Sequence, residues 1–129
     1  MSDDLKRVEE KSENSSLNLK SGKSEKVPRI IREQIIKILF RHVNPETTTV
    51  FLFGSLAENT DMKYSDIEIG IISEDEISDS VFLSLCDDLN YEADTLKKID
   101  LVDFNKVDSA FRNFALENIE IWHTARNLK

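Results

Sequence analysis

Val50-Phe51-Leu52-Phe53-Gly54-Ser55, followed after ten residues by Asp66-Ile67-Glu68-Ile69-Gly70-Ile71-Ile72, is the stretch on which the fold turns. Thr48 to Phe53 is β-branched and aromatic, the composition of a strand. Gly54-Ser55 ends that run abruptly. Leu56 to Asn59 reads as a short helix and Thr60 to Ser65 as a loop. Asp66 to Ile72 reads as a second strand, with Ile67, Ile69 and Ile71 on one side and Asp66, Glu68 and Gly70 on the other.

Working outward, Pro28 suits a first helical turn. Ile30, Ile31, Ile35, Ile38 and Leu39 then fall on one helical face, which predicts a helix from Pro28 to about His42. Asn44-Pro45 closes it with a turn. Downstream, Ser73 to Glu76 forms an acidic turn. Ser78 to Tyr91 reads as a helix with Val81, Phe82, Leu85 and Leu89 as its apolar stripe. Ile99 to Phe104 is a third strand. A last helix is expected from Ser109 to about Trp122, using Phe111, Phe114, Ala115, Ile119 and Trp122. The order α-β-α-β-α-β-α predicts an α/β (α+β) domain, with helices packed on a small mixed sheet of three or four strands. The pattern leaves open which strand pairs are parallel.

The chain has 129 residues, room for one domain, and a formal charge of -8. Residues 1–26 hold six basic and six acidic side chains, so residues 27–129 carry the whole excess. The first 26 residues are rich in Ser, Asn, Lys and Glu and contain no aromatics. They read as a flexible polar tail that buries too little to offset its ordering entropy, ahead of a folded unit at 27–129. The acidity excludes broad nucleic-acid binding through a basic face and adsorption on an anionic membrane. No apolar run is long enough to span a bilayer, and the N-terminus is polar from Ser2 onward. Cys86 is the sole cysteine, so no intrachain disulfide forms and a reducing, cytoplasmic setting is expected.

Three carboxylates lie within strands, where Asp and Glu are disfavoured: Asp66, Glu68 and Asp100. Asp66 and Glu68 are two apart and project from the same face. Converging carboxylates raise one another's pKa unless a cation intervenes, and Mg²⁺ prefers carboxylate oxygens, water and phosphate. Gly54 lets the backbone pass close to a ligand. The short helix after it would point amides at a phosphate, to which Ser55 can donate. A phosphate cradle beside a metal triad is equipment for phosphoryl or nucleotidyl transfer.

Gly54-Ser55, ten residues, then Asp66-Ile67-Glu68 resembles the GS-x10-D-x-[DE] signature of the DNA polymerase beta nucleotidyltransferase superfamily. It is most similar to the small minimal nucleotidyltransferases that are paired with HEPN-type helical proteins. Lys63-Tyr64-Ser65-Asp66 and Ile99-Asp100-Leu101-Val102-Asp103 agree in character and order. The resemblance implies a metal site at Asp66, Glu68 and Asp100, holding Mg²⁺ or Mn²⁺, with the same three residues catalytic. It implies nucleotide binding by Gly54, Ser55, Lys63 and Ser65, with ATP as the first candidate among the NTPs. It also implies a HEPN-type partner whose hydroxyl accepts the nucleotide, an antitoxin-like role.

The sequence departs from the family pattern at Leu56, where many relatives have Arg, and at Asn59, where many have Gly. Glu58 and Asp61 replace basic residues of the intervening loop. The alternative these changes favour is a catalytically degenerate binding module that acts by association with a helical partner. Of the remaining chemistry-bearing residues, Asp103 reads as a strand-end cap, His42 and His123 as structural or exposed, Cys86 as an inert thiol and Trp122 as core or interface. Tyr64 is expected to pack.

Overall fold

A computed structural model describes residues 27–57 and 66–126. The tail at 1–26 and the loop with Glu58, Asn59, Asp61, Lys63, Tyr64 and Ser65 lie outside the described residues, so the expectations placed on them are not addressed by it.

The elements are α1 (Arg29–Leu39), β1 (Thr48–Phe53), α2 (Gly54–Ala57), β2 (Ile67–Ser73), α3 (Asp79–Glu92), β3 (Ile99–Asp103), α4 (Ser109–Ala115) and β4 (Glu120–His123). The strands form one sheet in the order β3-β2-β1-β4. β1 is antiparallel to both β2 and β4, while β2 and β3 run parallel. A parallel pair needs a crossover, and α3 supplies it.

Alternation along the strands separates two layers. Val50, Leu52, Ile67, Ile69, Ile71, Ile99 and Leu101 face α1 and α3 and form the larger core with Ile35, Leu39, Leu85 and Leu89. Phe51 and Phe53 face the other way and pack with Phe104 and Ala115 in a smaller cluster under α4. Ser78 caps α3 by accepting from the Val81 N–H at 3.2 Å, and Asp108 caps α4 by accepting from the Phe111 N–H at 2.8 Å. Both caps are the expected residue types. Gly70 sits where a Cβ would overlap the Phe51 ring and lie 2.7 Å from Phe104 Cε1, so the aromatic cluster fills the space a side chain would need.

The expected last helix is corrected. It ends at Ala115, and Glu120–His123 is a fourth strand, so the order gains a final β. Ile119 and Trp122 fit a helical stripe with Phe111 and Ala115, but a run as short as Glu120-Ile121-Trp122-His123 is ambiguous between the two periods. The open backbone edge of β1 decides the matter, because its N–H and C=O groups need partners and β4 supplies them. Phe114 is accordingly off the core and 69% exposed, while Trp122 is buried.

Asp103 faces the larger core, and its Oδ1 accepts from the Asn105 N–H at 3.0 Å, as a strand-end cap does. His42 Nε2 lies 3.0 Å from Asp88, tying the turn after α1 to α3, and His123 Nε2 lies 2.7 Å from the Pro45 carbonyl. Both histidines are structural. Among the described residues no helix is long and apolar enough to cross a membrane.

Candidate active site

The three predicted carboxylate positions lie at one end of the sheet, on the face away from α1 and α3. β1 ends there at Phe53, and Phe53 pairs with Glu68. Glu68 in turn pairs with Asp100 across the parallel β2–β3 ladder. Register partners in a parallel pair project to the same face, with their strands about 4.8 Å apart. Asp66 precedes β2 by one residue, about 6.6 Å along the chain from Glu68. The ladder therefore brings the three predicted positions to one edge. Asp66 and Glu68 are half-buried and Asp100 is exposed.

Gly54 completes this edge. Its φ is +80°, a conformation that L side chains rarely adopt. A Cβ built on it would lie 2.6 Å from Glu68 Cδ and 2.7 Å from each carboxylate oxygen. The Gly54 backbone thus lies directly against the Glu68 carboxyl, and the chain turns there into α2. Only glycine permits both the turn and the contact. Ser55 continues the backbone of α2.

Gly54→Ala should separate stability from function. The left-handed φ costs about 1–2 kcal/mol for a residue with a Cβ. The collision with Glu68 costs less, because a carboxylate at the end of a flexible arm can swing away. That swing moves the carboxyl from its place, so ligand binding at this edge should fall further than a modest drop in melting temperature explains. Parallel measurement of melting and of divalent-ion binding checks this.

The donor set is all carboxylate, which suits a hard divalent cation such as Mg²⁺. Among the described residues the side chains of three or more such groups are not drawn around a single point. What the fold supplies is the shared face, the register and the Gly54 contact.

Two residues at this edge escaped the sequence reading. Lys98 accepts the Ile67 N–H at its carbonyl, 2.9 Å away, which ties the residue before β3 to the start of β2. Asn90 bonds the backbone of Ile99, next to Asp100. Neither carries a local signal, because each reaches the site only through the β2–β3 pairing and the α3 crossover.

α4 crosses the same face, and Phe111 packs 6.3 Å from Phe53 between ring centroids. Phe111 is 40% exposed, so an apolar surface borders the carboxylates. Cys86 is half-buried, and burial, then the charges of Asp87 and Asp100, push its thiol pKa up. A protonated thiol is a poor nucleophile, in keeping with an inert role. A cavity of about 830 Å³ opens on the other side of the sheet, between α1 and β4, beside Arg32 and Trp122. Its arginines are engaged: Arg29 pairs with Glu33 at 3.3 Å, and Arg32 lies over the Trp122 ring at 5.5 Å.

Residues 33–127 match the family model described as polymerase beta, nucleotidyltransferase. No curated protein matches the chain. Among solved structures, the chain is similar to one in a toxin–antitoxin complex with AMP-PNP, at 25% identity and a TM-score of 0.61, covering 74% of this chain and 76% of that one. It is also similar to a chain in a mutant of the toxin–antitoxin pair MntA–HpeT, at 25% identity and a TM-score of 0.58, covering 74% of each. A third likeness is to a chain in the complex of a tri-AMPylated Shewanella oneidensis HEPN toxin with its MNT antitoxin. That match has 23% identity and a TM-score of 0.58, covers 77% of this chain and 75% of that one, and shows the shared fold.

Proposed function

The chain belongs to the polymerase beta nucleotidyltransferase family, and on that premise we propose that it transfers a nucleoside monophosphate from an NTP to a hydroxyl of a HEPN-type helical partner, as an antitoxin does to its toxin. The observation that carries this reading is the contact of the Gly54 backbone with the Glu68 carboxyl, in register with Asp100. It sets a close-approach backbone turn beside paired acids on one open face.

Asp66, Glu68 and Asp100 would hold Mg²⁺, or Mn²⁺ in its place. When bound, the ion neutralises phosphate charge and supports displacement at the α-phosphorus. Gly54, together with Ser55, Lys63 and Ser65, would seat the β- and γ-phosphates. Asp100 is the most exposed of the three acids and would accept the proton of the attacking hydroxyl. The acceptor oxygen bonds to the α-phosphorus, the α–β phosphoanhydride bond breaks, and pyrophosphate leaves. The described residues form one layered unit on a single sheet, and the tri-AMPylated HEPN toxin in the complex with an MNT antitoxin supports an acceptor on a partner. The AMP-PNP present in the 25%-identical toxin–antitoxin neighbour supports ATP as the nucleotide. A single cysteine is compatible with action in the cytoplasm.

Mg-ATP should raise the melting temperature of the full chain. At about 100 times Kd the stabilisation is about 2.7 kcal/mol, and Asp66→Asn should remove it. Failure of all four NTPs to stabilise the chain with Mg²⁺ or Mn²⁺ would count against the proposal. A chain that binds its helical partner but no nucleotide would instead be the degenerate binding module, the reading that Leu56, Glu58 and Asp61 favour.

A further inference from the structure

β3 is an edge strand, and Asp100 is its second residue. The start of an edge strand frays readily, and a slip of one residue would turn Asp100 to the helix-covered face. Asn90, in the last turn of α3, meets both hazards. The Ile99 N–H donates to Asn90 Oδ1 at 2.8 Å, and Asn90 Nδ2 donates to the Ile99 carbonyl at 2.8 Å. Nδ2 also donates to the Cys86 carbonyl at 3.0 Å, which anchors the amide to its own helix.

The Ile67 N–H bonds the Lys98 carbonyl at 2.9 Å, so Lys98 turns its backbone groups toward β2. By alternation Ile99 turns its own outward, to the open edge. Asn90 occupies that edge as a single residue of a further strand would. Its three hydrogen bonds satisfy both amide hydrogens and the amide oxygen.

We propose that Asn90 is a positioning residue for the metal site: by clamping Ile99 it fixes the phase in which Asp100 stands beside Glu68. This rests on the function proposed above and deepens it. Groups that orient ligands from behind are worth about 10- to 100-fold in metal affinity or activity when removed.

The test uses the full-length chain with Mn²⁺ alone as the probe, titrated by paramagnetic resonance. The variants are N90A, D100N and the double variant N90A/D100N, with nucleotide transfer measured in parallel. N90A should weaken Mn²⁺ binding by about 10-fold or more. It should lower kcat while leaving KM for the NTP within about twofold of wild type. Because Asn90 acts through Asp100, the double variant should match D100N within about twofold rather than show both losses. Where N90A fails to fold, N90S replaces it and is read by the same criteria, since a serine is too short to bridge both Ile99 groups. Wild-type Mn²⁺ affinity in the folded variant, or losses that add in full, would overturn the role of Asn90 alone. A wild-type chain that takes up no Mn²⁺ would overturn the proposed function and this inference with it.

Discussion

Glu68→Gln should cut nucleotide transfer by about 10³-fold or more without unfolding the protein. Glutamine keeps the shape of the side chain, so the contact with Gly54 survives. It removes the charge that pairs with a divalent cation, and an amide oxygen is a weaker ligand for Mg²⁺ than a carboxylate. With Asp66 and Asp100 on the same face, deleting one negative charge also relieves repulsion in the metal-free chain. Transfer should therefore be lost while the chain stays folded. Transfer within about tenfold of wild type would remove Glu68 from the site.

The second large effect concerns stability. Phe104→Ala should destabilise the fold by about 3–5 kcal/mol. Phe104 is fully buried, and its ring lies 4.9 Å from Phe51, 5.1 Å from Phe53 and 5.7 Å from Phe111. It holds α4 against the sheet, where the buried apolar cluster is small and repacking has few neighbours to draw on. For a domain of this size each kcal/mol shifts melting by about 4–8 °C, so the drop should exceed about 12 °C. Phe114→Ala is the control. That ring is mostly exposed, and its loss should change stability by no more than about 0.5 kcal/mol. The two substitutions delete the same atoms from a buried and from an exposed site.

The parts of the fold that local chemistry decides were legible in the sequence. β1 was delimited by its β-branched and aromatic run and by Gly54, and the two faces of β2 followed from strict alternation. α1 and α3 followed from their apolar stripes. What local chemistry leaves undecided required the tertiary structure. β4 became a strand because β1 has an open edge, a fact that no window around Trp122 contains. Asp103 turned away from Asp100, as alternation over three residues requires. Asp66 and Glu68 were nominated by their spacing, but the level of Asp100 against Glu68 depends on the β2–β3 register. Lys98 and Asn90 matter through the same pairing and have no motif of their own.

The most direct test of the proposed nucleotidyl transfer at this edge is to incubate the full chain with a HEPN-type protein of the proposed class, Mg²⁺ and ATP labelled at the α-phosphate. Label should become covalently attached to the partner, pyrophosphate should be released in equal amount, and both should vanish with Asp66→Asn. Absence of label with every NTP, from a chain that is folded and bound to its partner, would contradict the account.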